Sequence, residues 1–233
     1  MTKHLLLESQ HVQRNNLRDL ILGGQDGLVN VLGIVFGVSS AGGSVQVILA
    51  AGLAATFAEA VSMGAVAYTS TLSMRDYYLK ELSLEKNEIK QVPNEEREEI
   101  RKIYKDKGFS GKLLEEVVDQ LTKDKQSWAE TMVTDEHKLE PIDTKDVLRS
   151  SIVVGASTIG GSLIPLLPYL ILGSHQAVYF TLVLSAIALF LVGFYQAKSY
   201  IGSPLKKGLQ MLLIGMGAAI IGFAVGKIFN AKM

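Results

Sequence analysis

The chain has 233 residues, 48% of them apolar, and its 23 Lys+Arg balance 23 Asp+Glu. It has no cysteine, which excludes disulfides, thiolate metal sites and a cysteine nucleophile. The neutral total hides a sharp partition: residues 75–149 hold 15 of the basic and 19 of the acidic residues, and no acid follows Arg149, so apolar segments flank one highly charged block.

Residues 1–19 are polar, with Lys3, Arg14 and Arg18, and an amphipathic helix on the membrane surface is expected around residues 5–17. This stretch lacks an apolar core, so no cleavable signal peptide is expected and the first span serves as the insertion signal. Residues 20–41 are that span. The turn Ala41-Gly42-Gly43-Ser44 leads to a second, residues 45–73. No breaker separates it from Asp76 onward, so the second helix is expected to run out of the bilayer to about Gln91. Pro93 ends it, with Asn94 capping the next helix and Glu95 and Glu96 in its first turn. Soluble helices are expected over residues 95–107, 111–123 with Ser110 as cap, and 125–138. Their apolar residues, among them Leu114, Val118, Trp128 and Val133, form a mutual core. Three more spans follow, residues 147–172, 176–198 and 205–229, the first kinked or shortened by Pro165 and Pro168. Lys and Arg fall overwhelmingly on one side: 21 of 23 precede the first span, lie in the charged block or separate the last two spans. That side should be the cytoplasm, with Met233 outside. The fold class is therefore an all-α integral membrane protein. Its parts are an N-terminal segment (1–19), two spans (20–73), a cytoplasmic helical metal-binding domain (74–146) and three spans (147–233).

Two groups of residues carry chemistry. In the spans, Asp26 and Glu59 are acids inside apolar helices, where a charge costs about 3 kcal/mol on insertion scales and marks a transport path or ligand site. Met63 lies one turn after Glu59 on the same helix face. Carboxylates with a thioether suit Fe(II) or a related first-row ion better than Mg or Ca. Counted from the two ends of an antiparallel pair, Asp26 and Met63 lie at similar depth, within about a turn. Asp19 lies seven residues before Asp26 and reads as an entry ligand, or as a headgroup-level acid beside Arg18. In the charged block, Glu81, Glu85 and Glu88 share a helix face, Glu96 and Glu99 face them across Pro93, and Met132 and Glu136 lie on the last soluble helix. On spacing alone these read first as solvated faces, paired with the interleaved Lys and Arg.

The segments Leu17-Arg18-Asp19, Gly24-Gln25-Asp26-Gly27-Leu28, Ala60-Val61-Ser62-Met63-Gly64 and Arg75-Asp76-Tyr77, with the order of two spans, Glu-rich insert and three spans, resemble the vacuolar iron transporter family. The resemblance covers residues 15–230. It implies a homodimer of five-span subunits that exports cytosolic Fe(II), driven by protons, into a vacuole or out of the cell. It implies a membrane path through Asp26 and Met63 with Asp19 toward the cytoplasmic mouth. The insert then binds several ions through Glu85, Glu88, Glu96, Glu99, Met132 and Glu136. There are departures: an acid common after Ser-Met-Gly is here Ala67, with Glu59 the acid of the second span, and a common second Met is here Val133.

The leading expectation is a proton-coupled divalent metal exporter for Fe(II), with Mn(II) as a further cargo. It has no prosthetic group and no nucleic-acid partner, and sits in a cell membrane in a prokaryote or a vacuolar membrane in a eukaryote. Spans one and two are expected to line the dimer interface through Gly23, Gly27, Ala50 and Ala54. The enzyme alternative, a membrane-anchored di-iron carboxylate protein that oxidises or stores Fe(II), lacks the Glu-x-x-His pairs of that class.

Overall fold

The computed structural model describes the backbone of residues 2–200 and 202–230, and side chains from Asn16 onward except Ser174 and His175. These residues form α1 (Thr2–Ser40), α2 (Val45–Gln91), α3 (Pro93–Asp106), α4 (Gly111–Leu121), α5 (Lys125–Asp135), α6 (Thr144–Ile171), α7 (Ser174–Ser199) and α8 (Pro204–Asn230). The surface helix expected at residues 5–17 is the start of α1; the direction of its side chains, and the placement of Met233, lie outside the described residues. Among the described residues, five helical stretches are long and apolar enough to cross a membrane: Asn16–Ser40, Val45–Gln91, Thr144–Ile171, Gln176–Ser199 and Pro204–Asn230. With its 47 residues, α2 is about 70 Å long against a hydrocarbon thickness of about 30 Å, so it continues beyond any bilayer it crosses.

The chain divides into two compact units, one of residues 1–68 and 148–233 and one of residues 69–147. In the first, Leu28, Val31, Leu32 and Val35 of α1 pack with Ile48, Leu166, Ala177, Leu189 and Ala219. Between apolar helices in lipid, contact depends on close packing rather than on exclusion of water, and small residues permit it. α1 and α8 meet at such a crossing. A Cβ on Gly222 would overlap the Gly33 carbonyl oxygen, and one on Gly226 would overlap the Gly37 carbonyl oxygen. Beyond the crossing, the Ser40 hydroxyl donates to the Phe223 carbonyl (2.9 Å) and the Asn230 amide donates to the Ser40 carbonyl (3.2 Å). α1 then stops at a glycine: Gly42 has φ +86°, and the Gly42 and Gly43 amides bond back to Ser39 and Val38, the paired closure that satisfies a helix's last carbonyls.

One sequence expectation fails in this unit and another is narrowed. Gly23 and Gly27 do not serve an interface between copies, because a Cβ on either would overlap the backbone carbonyls of Val154 and Thr158 on α6. They are consumed by packing within the subunit, whereas Ala50 and Ala54 are exposed. Nor do Pro165 and Pro168 shorten α6, which runs helical through both to Ile171; the Thr181 hydroxyl of α7 donates to the Pro165 carbonyl (3.0 Å).

The second unit is a small bundle. Tyr78, Leu82 and Ile89 of α2 form a core with Ile100 of α3, Leu114 and Val118 of α4, and Trp128, Ala129, Met132 and Val133 of α5. Each large side chain buried here contributes about 1.5–3 kcal/mol. α3 begins at Pro93 with Val92 at the cap, not with Asn94 as cap: proline has no N–H to leave unsatisfied and its φ is already helical, so it takes the first position and carries Asn94 inside. α3 ends at Asp106 with Lys107 as its cap, Gly108 turns the chain with φ +98°, and the Tyr104 and Phe109 rings flanking that turn sit 5.7 Å apart. Ser110 holds the cap position of α4 without a side-chain bond. Asp124 caps α5 by accepting from the Ser127 amide (2.8 Å).

Candidate metal centres

In the first unit, α1 and α2 bring Asp26 and Asn30 beside the Glu59 carboxylate. The pairing follows from an antiparallel turn at residues 41–44, which sets the two acids at one depth. Asn30 follows Asp26 by four residues and so shares its face; counting acids alone passes over it, although the spacing is visible. One Glu59 oxygen, Oε2, is buried without a partner. Asp26 and Asn30 are exposed on the single subunit, and Met63 is half-buried one turn from Glu59. Ala67, where the resemblance leads one to expect an acid, is a buried small residue at 8% exposure, so Glu59 is the one acid in residues 45–73, the apolar part of α2. Asp19 stands apart from the cluster; its carbonyl accepts from the Ser157 hydroxyl (3.4 Å).

In the second unit, the turn at Val92-Pro93 folds α3 back along α2. Ligand oxygens of Glu85, Glu88 and Glu96 come within 4.8 Å of one another, and a second group of the same tightness joins Glu85, Glu136 and His137. Glu85 and Glu96 are buried, and Oε2 of each lacks a partner. Burial, then the neighbouring Glu99, Glu85, Glu88 and Glu136, push the Glu96 carboxyl up to about 7. Glu99 is raised by burial and by Glu136 and Glu88. Burial also raises Glu85, against the hydrogen bond from His137, which is itself raised by that bond. Glu81 stands near enough to His137 to act on its charge. Met132 is fully buried in the core, one turn before Glu136.

The interleaved arginines do not neutralise these acids. Arg97 pairs with Asp119 and donates to Thr122 (3.1 Å), while Arg101 pairs with Glu98 and, through Nε and Nη2, with Glu115 (2.9 and 2.8 Å). Both turn to α4. Among the described residues, Glu85, Glu88, Glu96, Glu99 and Glu136 form no ion pair with Lys or Arg. Of these five acids Glu85 and Glu96 are buried, each with one oxygen unsatisfied, while Glu88, Glu99 and Glu136 are exposed; acids grouped in this way can take a cation as their counter-charge.

The chain matches the family model described as the VIT family over residues 17–227. It is 35% identical to vacuolar iron transporter 1 of Eucalyptus grandis and 32% identical to vacuolar iron transporter 1 of Arabidopsis thaliana, in each case over 91% of this chain and 85% of the relative. It is 27% identical to the vacuolar iron transporter of Plasmodium falciparum, over 96% of this chain and 85% of that protein.

Proposed function

The chain belongs to the VIT family, and from that membership we propose that it carries divalent iron across a membrane. The direction is out of the cytosol, in exchange for protons, with Mn(II) as a second cargo. The relatives named above are vacuolar iron transporters by name, so we read this chain as a carrier rather than an enzyme. In a eukaryotic cell its place would be the vacuolar membrane, and in a prokaryote the cell membrane. The observation that carries the reading is the Asp26–Asn30–Glu59 cluster, polar groups joined across two otherwise apolar spans. Such groups are costly in hydrocarbon and are kept where an ion passes.

The mechanism follows from ligand chemistry. Carboxylates bind a cation only when deprotonated, so protons arriving from an acidic far side compete with the ion and release it. Met63 adds a soft donor one turn away and tilts the site toward Fe(II). The insert, cytoplasmic by the Lys/Arg bias, would gather ions at Glu85, Glu88, Glu96, Glu99 and Glu136 and raise their concentration at the membrane entry, with Asp19 on the way. The exposure of Asp26 and Asn30 on one subunit favours a homodimer, in which a second copy would shield them from lipid and bring a second set of ligands.

The test is Fe(II) flux into vesicles reconstituted with the protein, with and without a pH gradient. Asp26→Asn keeps size and hydrogen bonding but removes the charge. It should assemble as the parent does and lose at least about 90% of the gradient-driven flux, since a ligand charge is worth well over a factor of ten. Flux near the parent rate in that variant would sink the site.

A further inference from the structure

His137 is absent from the ligand set read from the sequence, yet it closes one of the two groups in the second unit. Its Nε2 lies 2.8 Å from Glu85 Oε1. With Glu136 these residues offer three ligand atoms all within 4.8 Å of one another. α5 positions two of the three: Glu136 is its C-cap, its amide bonded to the Met132 carbonyl (2.8 Å), and His137 follows directly. Glu85 belongs also to the all-oxygen group with Glu88 and Glu96. It is 3% exposed, and while Oε1 meets the imidazole, Oε2 is buried without any partner. Glu96, 5% exposed, has a second such oxygen.

A simple ion pair does not account for this arrangement. One imidazolium on Glu85 Oε1 still leaves Oε2 of Glu85 and Oε2 of Glu96 buried without a donor, and such oxygens are costly to keep. A cation supplies what both oxygens lack. Resting on the metal cargo proposed above, we propose that His137 is a nitrogen ligand in a Glu85–Glu136–His137 site for a first-row divalent cation, and that Glu85 bridges this site to the all-oxygen one. On binding, the hydrogen between Nε2 and Oε1 gives way to the ion, and the neutral ring keeps its proton on Nδ1. A nitrogen donor steepens the rise in affinity from Mn(II) through Fe(II) and Co(II), whereas carboxylates alone discriminate little. The mixed site is thus where the insert tells iron from manganese and magnesium.

The experiment uses the full chain, purified metal-free in detergent, with Co(II) and Mn(II) as probes. X-ray absorption at the cobalt edge, with one Co(II) per chain, should show imidazole scattering in the parent and none in His137→Gln. In that variant Co(II) affinity should fall by at least about tenfold and Mn(II) affinity by much less. The control Lys138→Gln, which removes the adjacent charge, should bind Co(II) as the parent does. Absence of imidazole scattering in the parent overturns the assignment whatever the variants do. So does scattering that persists in His137→Gln, an equal loss for both ions, or a matching loss in Lys138→Gln. Flux into vesicles is read separately: a parent that shows the imidazole signature but moves no metal upholds the ligand and overturns transport, while a transporting parent whose His137→Gln variant binds both ions unchanged overturns the ligand alone.

Discussion

At Glu96, pH enters the metal chemistry. Its carboxyl is raised to about 7 by burial and by four neighbouring acids. At pH 6 it is therefore mostly protonated, and a cation that binds there must expel the proton; at pH 8 it is already ionised. We expect apparent affinity for Fe(II) to climb from pH 6 toward pH 7, approaching tenfold per pH unit for each proton displaced, then to flatten. Calorimetry in buffers of different ionisation enthalpy counts those protons, and a count that is the same at pH 6 and pH 8 would remove Glu96 from the ligands. Stability without metal follows the same sign. A carboxyl whose folded value exceeds its ordinary 4.5 holds extra protons in the folded state. Its contribution is therefore complete below about 4.5 and is lost as pH rises through about 7. The acids themselves were legible as residues spaced three and four apart. The partners of Arg97 and Arg101 were not, because their choice of Asp119 and Glu115 depends on how α4 packs against α3 rather than on spacing within α3. Asn30 and His137 were missed for a different reason: neither is an acid, and each becomes notable only when a second helix delivers Glu59 or Glu85 to it.

At the level of the helices, the apolar runs and the Gly and Pro punctuation located the elements from α2 onward to within a few residues, whereas the surface helix and the first span, read as two, are the single helix α1. What they did not reveal was which helix each small-residue face meets. Gly23 and Gly27 look alike in sequence to Gly33 and Gly37, yet the first pair faces α6 and the second α8. The contact chemistry is identical, so only the assembled bundle distinguishes them. The α1–α8 crossing gives a direct test. Gly222→Ala places a methyl where the Gly33 carbonyl oxygen lies and should destabilise the protein in detergent by about 1–3 kcal/mol. Gly217→Ala, whose Cβ meets open space, should be neutral or stabilising by up to about 1 kcal/mol, because alanine is the better helix former. Thermal unfolding followed by helical signal compares the two, and an equal response from both would mean the crossing is loose.

For the molecule as a whole, the Lys/Arg bias predicts an orientation that cysteine scanning can check on a chain with no native cysteine. Lys112→Cys suits the purpose because the Lys112 side chain is 91% exposed. In intact cells it should react with a membrane-permeant maleimide and resist an impermeant one; labelling by the impermeant reagent would invert the topology. The number and order of spans were plain in the sequence because a stretch of about 20 apolar residues has few other uses. The closing of the ligand sites was not, since it depends on which residues separate helices bring within a few ångströms.

The grip of α4 on Arg97 and Arg101 carries a last consequence. Two guanidinium groups lie only one and two residues from Glu96 and Glu99, on a neighbouring face of α3, and Asp119 and Glu115 hold them there. On the proposed reading of the cluster as a metal trap, α4 would be a decoy whose rival carboxylates hold the arginines off it. Loosening the decoy would turn the arginines into tethered competitors. Asp119→Asn with Glu115→Gln, neither a ligand, should weaken Fe(II) binding severalfold, since charge-assisted Arg–carboxylate pairs are worth about 1–3 kcal/mol. Adding Arg97→Gln and Arg101→Gln to that background should restore it. Titration of the double and quadruple variants would show whether affinity in this fold is set partly by where its positive charges are prevented from going.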